Sequence, residues 1–219
     1  MKREVAILAS GNGTNAAALL RACADDTFPA RVACIVCNVP GAGVLEVGRG
    51  AGIAVHVVPS VGRSRAVFEA ELLERIGPRG DTPAEIVCLA GFMRVLTPAV
   101  VQAFPERILN VHPSLLPSFP GLHAHRQALR AGVVQTGATV HLVDDGLDTG
   151  PILAQGTVPV LDDDDESTLA ARVRQVEHAL YPRALRWVAE GRVRVDGRCA
   201  RVRLDPGEAR WHAWPVSHP

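Results

Sequence analysis

Lysine is almost absent: of 23 basic residues only Lys2 is a lysine, and neither sign of charge is in surplus, 23 Lys plus Arg facing 23 Asp plus Glu. The lysine deficit accompanies abundant Ala, Val, Gly and Arg and is read as compositional. Balanced charge argues against a nonspecific binder of nucleic acid or of an anionic membrane, which carries a basic excess. No apolar run approaches the roughly 18–20 residues that cross a bilayer. Val5–Ala9, after Met1-Lys2-Arg3, is too short for a signal segment and breaks into Ser10-Gly11-Asn12-Gly13. A soluble cytoplasmic protein is expected. The five cysteines are sparse and odd in number, so no disulfide framework is implied. Cys34 and Cys37 form a C-x-x-C inside a strand-like run, on opposite faces, and core packing is preferred there over redox or zinc chemistry. The chain has no G-x-S-x-G, Walker A or zinc-protease signature, which removes the commonest hydrolase and nucleotide-hydrolysis readings.

What is present is material for a core: 219 residues, 47% hydrophobic and 21% charged, point to one ordered domain. Apolar runs of strand length, Glu4–Ala9, Val32–Cys37, Ala54–Val58, Glu85–Ala90 and Arg107–His112, alternate with helical spacing over Asn15–Ala24, Leu45–Gly52, Arg65–Ile76 and, from the Thr97-Pro98 start signal, to Phe104. That alternation predicts a parallel sheet with crossover helices. Beyond Pro113 the chain is too proline-rich for regular structure to Leu122. Two β-like runs follow, Gln135–Val143 and Ile152–Val160, separated by the loop signal Asp144–Pro151. A long helix is expected from about Glu166 to Glu190, opened by acidic Asp162–Asp165 and kinked or bounded near Tyr181 by Pro182. Asp196-Gly197 signals a hairpin, and the tail beyond Asp205 is expected to fray.

Three places can carry chemistry. Ser10-Gly-Asn-Gly-Thr-Asn15 joins a strand to a helix, where glycines let the backbone turn and free amides attract an anion. A plain tight turn, a phosphomonoester site and a dinucleotide site compete there. The last wants an acidic residue at the end of the second strand, where this chain has Asn38. Asn110 and His112, two apart in a strand, project to one face at the carboxyl end, where open α/β sheets bind ligands. Such a pair can stabilise an oxyanion and move a proton, or can simply satisfy loop backbone. Asp148, bracketed by glycines, would favour the imidazolium form of His112 if its loop folds back, or is a solvated turn former. His123, His125 and His141 lack a cysteine or acidic set at ligand spacing, so no metal is expected.

Ser10–Asn15, Leu89-Ala-Gly-Phe-Met-Arg-Val-Leu96, Ile108-Leu-Asn-Val-His-Pro-Ser-Leu-Leu-Pro117, Pro120-Gly-Leu-His-Ala-His125 and Gly146-Leu-Asp-Thr-Gly-Pro-Ile152 together closely resemble the phosphoribosylglycinamide formyltransferases of the folate-dependent formyltransferase family. The likeness extends over roughly residues 3–195, and the Asn-x-His-Pro-Ser-Leu-Leu-Pro block is common to folate-dependent formyl transfer generally. It implies an α/β fold, a Rossmann-like mostly parallel sheet flanked by helices, with an antiparallel C-terminal portion and a long C-terminal helix. One domain is expected over 1–219, with 1–112 a phosphate-binding half, 113–205 a catalytic and folate-binding half and 206–219 a tail.

The implied reaction is formyl transfer from 10-formyltetrahydrofolate, a co-substrate, to the amine of phosphoribosylglycinamide in purine biosynthesis, with Asn110, His112 and Asp148 catalytic. Gly13, Thr14 and Asn15 match the residues that hold the acceptor's phosphate, and Glu177 the one that reaches its glycinamide end. The alternative for Glu177 is an exposed ion pair with Arg174. Arg65, Met93, Arg94, Val95, Leu96, Asn110, Val143, Asp144 and Asp145 match the folate side. A cis bond before Pro117 is also implied. The competing acceptor is an amino sugar nucleotide, and a folate-binding protein without turnover is the reading from another class. No metal, nucleic acid or membrane enters, and the protein is expected to be a monomer or homodimer. A tRNA formyltransferase would add a β-rich domain for which this length leaves no room.

Overall fold

Each short apolar run of the first half becomes a strand and each amphipathic run a helix in the computed structural model, which describes residues 1–77 and 79–213. The order is β1 (Arg3–Ala9), α1 (Thr14–Cys23), β2 (Ala30–Cys37), α2 (Val44–Gly50), β3 (Ala54–Val57), α3 (Arg65–Ile76), β4 (Ile86–Leu89), α4 (Pro98–Ala103) and β5 (Ile108–His112). Then come α5 (Ala124–Ala131), β6 (Gln135–Leu142), β7 (Ile152–Pro159), α6 (Glu166–Ala189), β8 (Val193–Asp196), β9 (Cys199–Val202) and β10 (Trp211–Ala213). One eight-stranded sheet has the order β10-β7-β6-β5-β4-β1-β2-β3. Strands β1 to β5 are mutually parallel, and β6 runs antiparallel to both β5 and β7.

Alternation along the buried strands divides the core in two. Val5, Ile7 and Ala9 of β1 face α1 and α6, whereas Ala6 and Leu8 face Phe68, Leu72 and Ile76 of α3. Cys37 lies on the first side and Cys34 on the second, both as free thiols, as expected for core packing. Four of the five cysteines are buried and Cys199 is exposed. Each aliphatic side chain removed from water contributes about 1.5–3 kcal/mol. At the amino end of β1, Lys2 Nζ donates to the Asp25 carbonyl at 2.9 Å.

Helix α6 places the second half on the first. Asp165 caps it: its carboxylate accepts from Thr168 N–H at 2.8 Å while the Thr168 hydroxyl accepts from Asp165 N–H at 3.0 Å. Arg172 pairs with Asp164 at 2.6 Å and holds that carboxyl down at about 2. The helix runs unbroken through Pro182, with Tyr181, Leu185 and Trp187 fully buried around it, so packing overrides the break that proline favours. The Tyr181 hydroxyl lies 3.0 Å from the carbonyl oxygens of Leu89 and Leu109, fastening α6 under the two strands that lead into the site.

Three elements differ from the sequence reading. Helix α5 follows the proline-rich segment, where no start signal marks a helix. The hairpin turns on Gly197-Arg198 instead of Asp196-Gly197, because Asp196 pairs with Cys199 and Gly197 takes φ 59°. The expected frayed tail instead forms β10, parallel to β7. Buried Arg192 gathers Glu190, Asp205 and Glu208, and Arg210 Nε donates to the Leu153 carbonyl at 2.9 Å, which draws the strand into place. Residues 214–219 of that tail lie outside the described residues. No helix among the described residues is long and apolar enough to cross a membrane.

Candidate active site

The turn after β1 sets up the first part of the site. Gly13 precedes α1 in the left-handed region, φ 79° and ψ 23°, and no side chain caps the helix. The first-turn amides are therefore left to face an anion. A Cβ on Gly13 would stand 2.8 Å from Val44 Cγ2. Gly13→Ala is thus expected to cost roughly 1–3 kcal/mol through strain and overlap, seen as a lower melting temperature, and to weaken binding of a phosphorylated ligand. Thr14 is exposed, and Asn15 turns inward. Its Nδ2 donates to Glu177 Oε2 at 2.8 Å, and its buried Oδ1 has no partner among the described residues. Glu177, one turn before Tyr181 on the same face of α6, is 8% exposed, so the exposed pair with Arg174 is not what forms. Burial pushes the Glu177 carboxyl above the ordinary range, against the lowering effect of the Asn15 hydrogen bond.

The second part grows from β5 and β6. The antiparallel register sets Asn110 directly opposite His141 and His112 opposite Thr139. Thr139 Oγ1 donates to the Ser114 carbonyl at 2.7 Å and accepts from Leu116 N–H at 3.0 Å, shaping the loop that holds the cis Leu116–Pro117 bond. The loop after β6 folds back so that Asp148, at φ 54°, meets both histidines: Oδ2 lies 3.3 Å from His112 Nδ1 and Oδ1 lies 3.7 Å from His141 Nε2. Gly121 N–H donates to Asp148 Oδ2 at 2.8 Å, tying the two loops together. His112 Nε2 lies 2.8 Å from the Phe119 carbonyl. Both ring nitrogens of His112 thus face oxygen acceptors.

His141 has a different part. Its Nδ1 lies 2.8 Å from the Leu142 carbonyl, which accepts only, so Nδ1 carries the proton and Nε2 accepts from Asn110 Nδ2 at 3.1 Å. Burial holds the His141 pKa below its ordinary value, in keeping with a neutral ring. The Asn110 amide is thereby oriented, with one N–H spent on His141 and the other left over. Sequence reasoning placed His141 only among possible metal ligands.

The third part is the loop after β4. Met93 and Val95 are 68% and 48% exposed, whereas Leu96 is buried beside Phe68 and Val100, so what Leu96 offers a ligand is its main chain. The Arg94 guanidinium lies 5.1 Å from the Phe68 ring centroid. Glu69 accepts from Thr97 N–H at 2.9 Å and closes the loop. Arg65 is exposed at the start of α3. Across the sheet, Val143 N–H donates to the Ile108 carbonyl at 2.8 Å, Asp144 accepts from Gly146 N–H and the Thr149 hydroxyl, and Asp145 is exposed. A cavity of about 300 Å³ lies beside this turn, lined by Val101, Val143, Asp144 and Asp145 among others.

The sequence pattern described as formyl transferase matches residues 3–185. The chain belongs to the formyl transferase family. This family member is 43% identical over 198 residues to the phosphoribosylglycinamide formyltransferase of Escherichia coli (strain K12), covering 90% of this chain and 92% of that one. It superposes on the crystal structure of glycinamide ribonucleotide transformylase 1 from Symbiobacterium toebii with a TM-score of 0.88 at 44% identity, over 92% of this chain and 94% of the other. It also resembles a formyltetrahydrofolate deformylase from Pseudomonas syringae pv. tomato, with a TM-score of 0.85 at 30% identity, over 92% of this chain and 66% of the other.

In this formyl transferase, His123 is exposed at the start of α5, and His125 is half-buried with an unpartnered Nδ1. Among the described residues no group of three or more His, Cys, Asp and Glu side chains is placed to hold a metal ion. A sequence signal for His141 exists only in combination: a histidine near the end of the run that pairs antiparallel with Asn110-Val-His112 becomes a neighbour once the register is known.

Proposed function

We propose that this formyl transferase moves the formyl group of 10-formyltetrahydrofolate to the amine of phosphoribosylglycinamide, a step of purine biosynthesis, giving formylglycinamide ribonucleotide and tetrahydrofolate. The observation that carries this reading is the meeting of His112 with Asp148, and of Asn110 with His141, at the carboxyl edge of the sheet where β1 also leads into a helix N-terminus whose Asn15 is bonded to Glu177. The helix amides at Gly13, Thr14 and Asn15 hold the acceptor's phosphate, and Glu177 takes its glycinamide end. The folate lies against Met93, Arg94, Val95, Leu96 and the turn Val143–Asp145, where apolar side chains alternate with main-chain polar groups suited to a flat amphipathic ring. Arg65 suits the glutamate carboxylate by paired hydrogen bonds.

The amine nitrogen attacks the formyl carbon, and the carbonyl electron pair moves onto oxygen. The free Asn110 N–H and protonated His112, its Nε2–H turned from the Phe119 carbonyl to the substrate, hold that oxyanion. Collapse breaks the bond to the folate nitrogen, which gains a proton by way of His112 as the attacking amine loses one. Asp148 orients His112 and supports its charge. Two substrates held side by side supply much of the acceleration, so no covalent enzyme intermediate is required.

The test is to incubate the purified protein with 10-formyltetrahydrofolate, with and without phosphoribosylglycinamide, and to follow folate release and the formylated product. Release that depends on this acceptor is expected. Release without any acceptor would mean hydrolysis, the reaction named for the Pseudomonas relative, and release only with an amino sugar nucleotide would replace the acceptor.

Glu177 offers a second measurement. A carboxyl whose folded pKa is raised is disfavoured when ionised, so stability declines as pH climbs from the unfolded value through the raised folded one. Glu177→Gln is therefore expected to melt above the wild type at about pH 8, the gain vanishing below the ordinary carboxylate range near 4. The same change is expected to raise the acceptor KM about tenfold. A variant no more stable than wild type at the higher pH would contradict the burial argument.

A further inference from the structure

Along the carboxyl edge of the sheet a file of hydrogen bonds runs through the loops that follow β3, β2, β1 and β4, neighbours in that order. Met93 N–H donates to Ser10 Oγ at 2.8 Å, the Ser10 hydroxyl donates to Asn38 Oδ1 at 2.6 Å, and Asn38 Nδ2 donates to Ser60 Oγ at 3.0 Å. Every link points the same way, so each bond polarises the next. Asn38 is 4% and Ser60 6% exposed, which leaves neither side chain open to a ligand. Asn38 occupies the position where a dinucleotide-binding fold places its ribose-holding acid, and here its amide is consumed internally. Ser10 is the junction, since its own N–H also donates to the Gly91 carbonyl at 3.1 Å.

We infer that Ser10 is a positioning residue that sets the loop carrying Met93–Leu96 against the phosphate-binding turn that follows it in sequence. The inference rests on the proposed reaction, in which these loops hold different substrates. Their relative placement then decides how far the formyl carbon stands from the attacking amine, and a misplacement of about 1 Å costs up to 10²-fold in rate. Asn38 acts at one remove, because its carboxamide, aimed by Ser60, keeps the Ser10 lone pairs turned toward Met93.

Ser10→Ala deprives Met93 N–H of its acceptor and Asn38 of its donor. Expected are a fall of about tenfold in kcat/KM for the formyl donor, an acceptor KM within about threefold of wild type and a melting temperature lower by a few degrees, since the buried Asn38 Oδ1 is left without a donor. Ser10→Thr, which keeps the hydroxyl, should recover most of the loss. Asn38→Ala in the Ser10→Ala background should add little, because both lie in one file. Wild-type donor kinetics in Ser10→Ala, equal losses for both substrates, or multiplying effects in the double variant would each overturn the inference. Calorimetric titration with tetrahydrofolate, acceptor absent, reads the loop without turnover: about tenfold weaker binding to Ser10→Ala is expected, and equal affinity overturns the inference. A wild type that binds tetrahydrofolate yet does not formylate phosphoribosylglycinamide would sink the acceptor assignment alone, leaving the calorimetric comparison to judge Ser10.

Discussion

Asp148→Asn is expected to lower kcat by about 10²–10⁴-fold while both KM values stay within roughly threefold of wild type. The substitution preserves shape and leaves an oxygen able to accept from Gly121 N–H, so the loop keeps its tether. What disappears is the negative charge beside His112 Nδ1, 3.3 Å away. The ring then loses the carboxylate it faces, and on the proposed mechanism the oxyanion loses the support of that pair. The loss falls on the transition state because only there does the charge develop. Steady-state kinetics on the pure variant decide the matter, and an unchanged kcat removes Asp148 from the mechanism. Combining Asp148→Asn with His112→Ala should cost little more than His112→Ala alone, since the two act as a unit.

Asn110→Ala is expected to reduce kcat by about 10²–10³-fold, the usual loss when one aimed donor to an oxyanion is removed. The amide is fixed before substrate arrives: His141 Nε2 holds one of its hydrogens at 3.1 Å, and burial favours the neutral histidine that can do so. An already oriented donor needs no rearrangement as the reaction proceeds, which is why its removal should outweigh an ordinary hydrogen bond. If kcat survives and only the folate KM rises, Asn110 is a binding residue and the oxyanion is held elsewhere.

The sequence discloses the first half of this protein more fully than the second, for a physical reason. Strands β1 to β5 are buried short runs, and their helices carry apolar faces at helical spacing, so local pattern and tertiary environment agree. Helix α5 breaks that agreement. It begins at left-handed His123 without a side-chain cap, directly behind the proline-rich run, so no start signal marks it although Ala124 and Ala128 lie at helical spacing. Strand β10 has three residues, and its place depends on Arg192 and Arg210 reaching groups far away in sequence. The site divides in the same manner. Ser10–Asn15 and Asn110-Val-His112 are contiguous and readable, whereas the approach of Asp148 to His112 is a long-range fact. The pairing of Asn110 with His141 follows from strand register, which composition does not encode.

Lys2 and Cys199 give this chain an unplanned experimental convenience. Lys2 is the one lysine in the sequence and stands at the amino end of β1, away from the loops that carry the candidate site. Cys199, on the β8–β9 hairpin, is the exposed thiol, the other four being buried. An amine-reactive dye and a thiol-reactive dye therefore have separate side-chain addresses in the unaltered protein, with the α-amino group next to the first. Energy transfer between them would report, without a mutation, on how the hairpin, whose Gly197 and Arg198 line the cavity beside Val143–Asp145, sits relative to the sheet's amino edge as substrates bind.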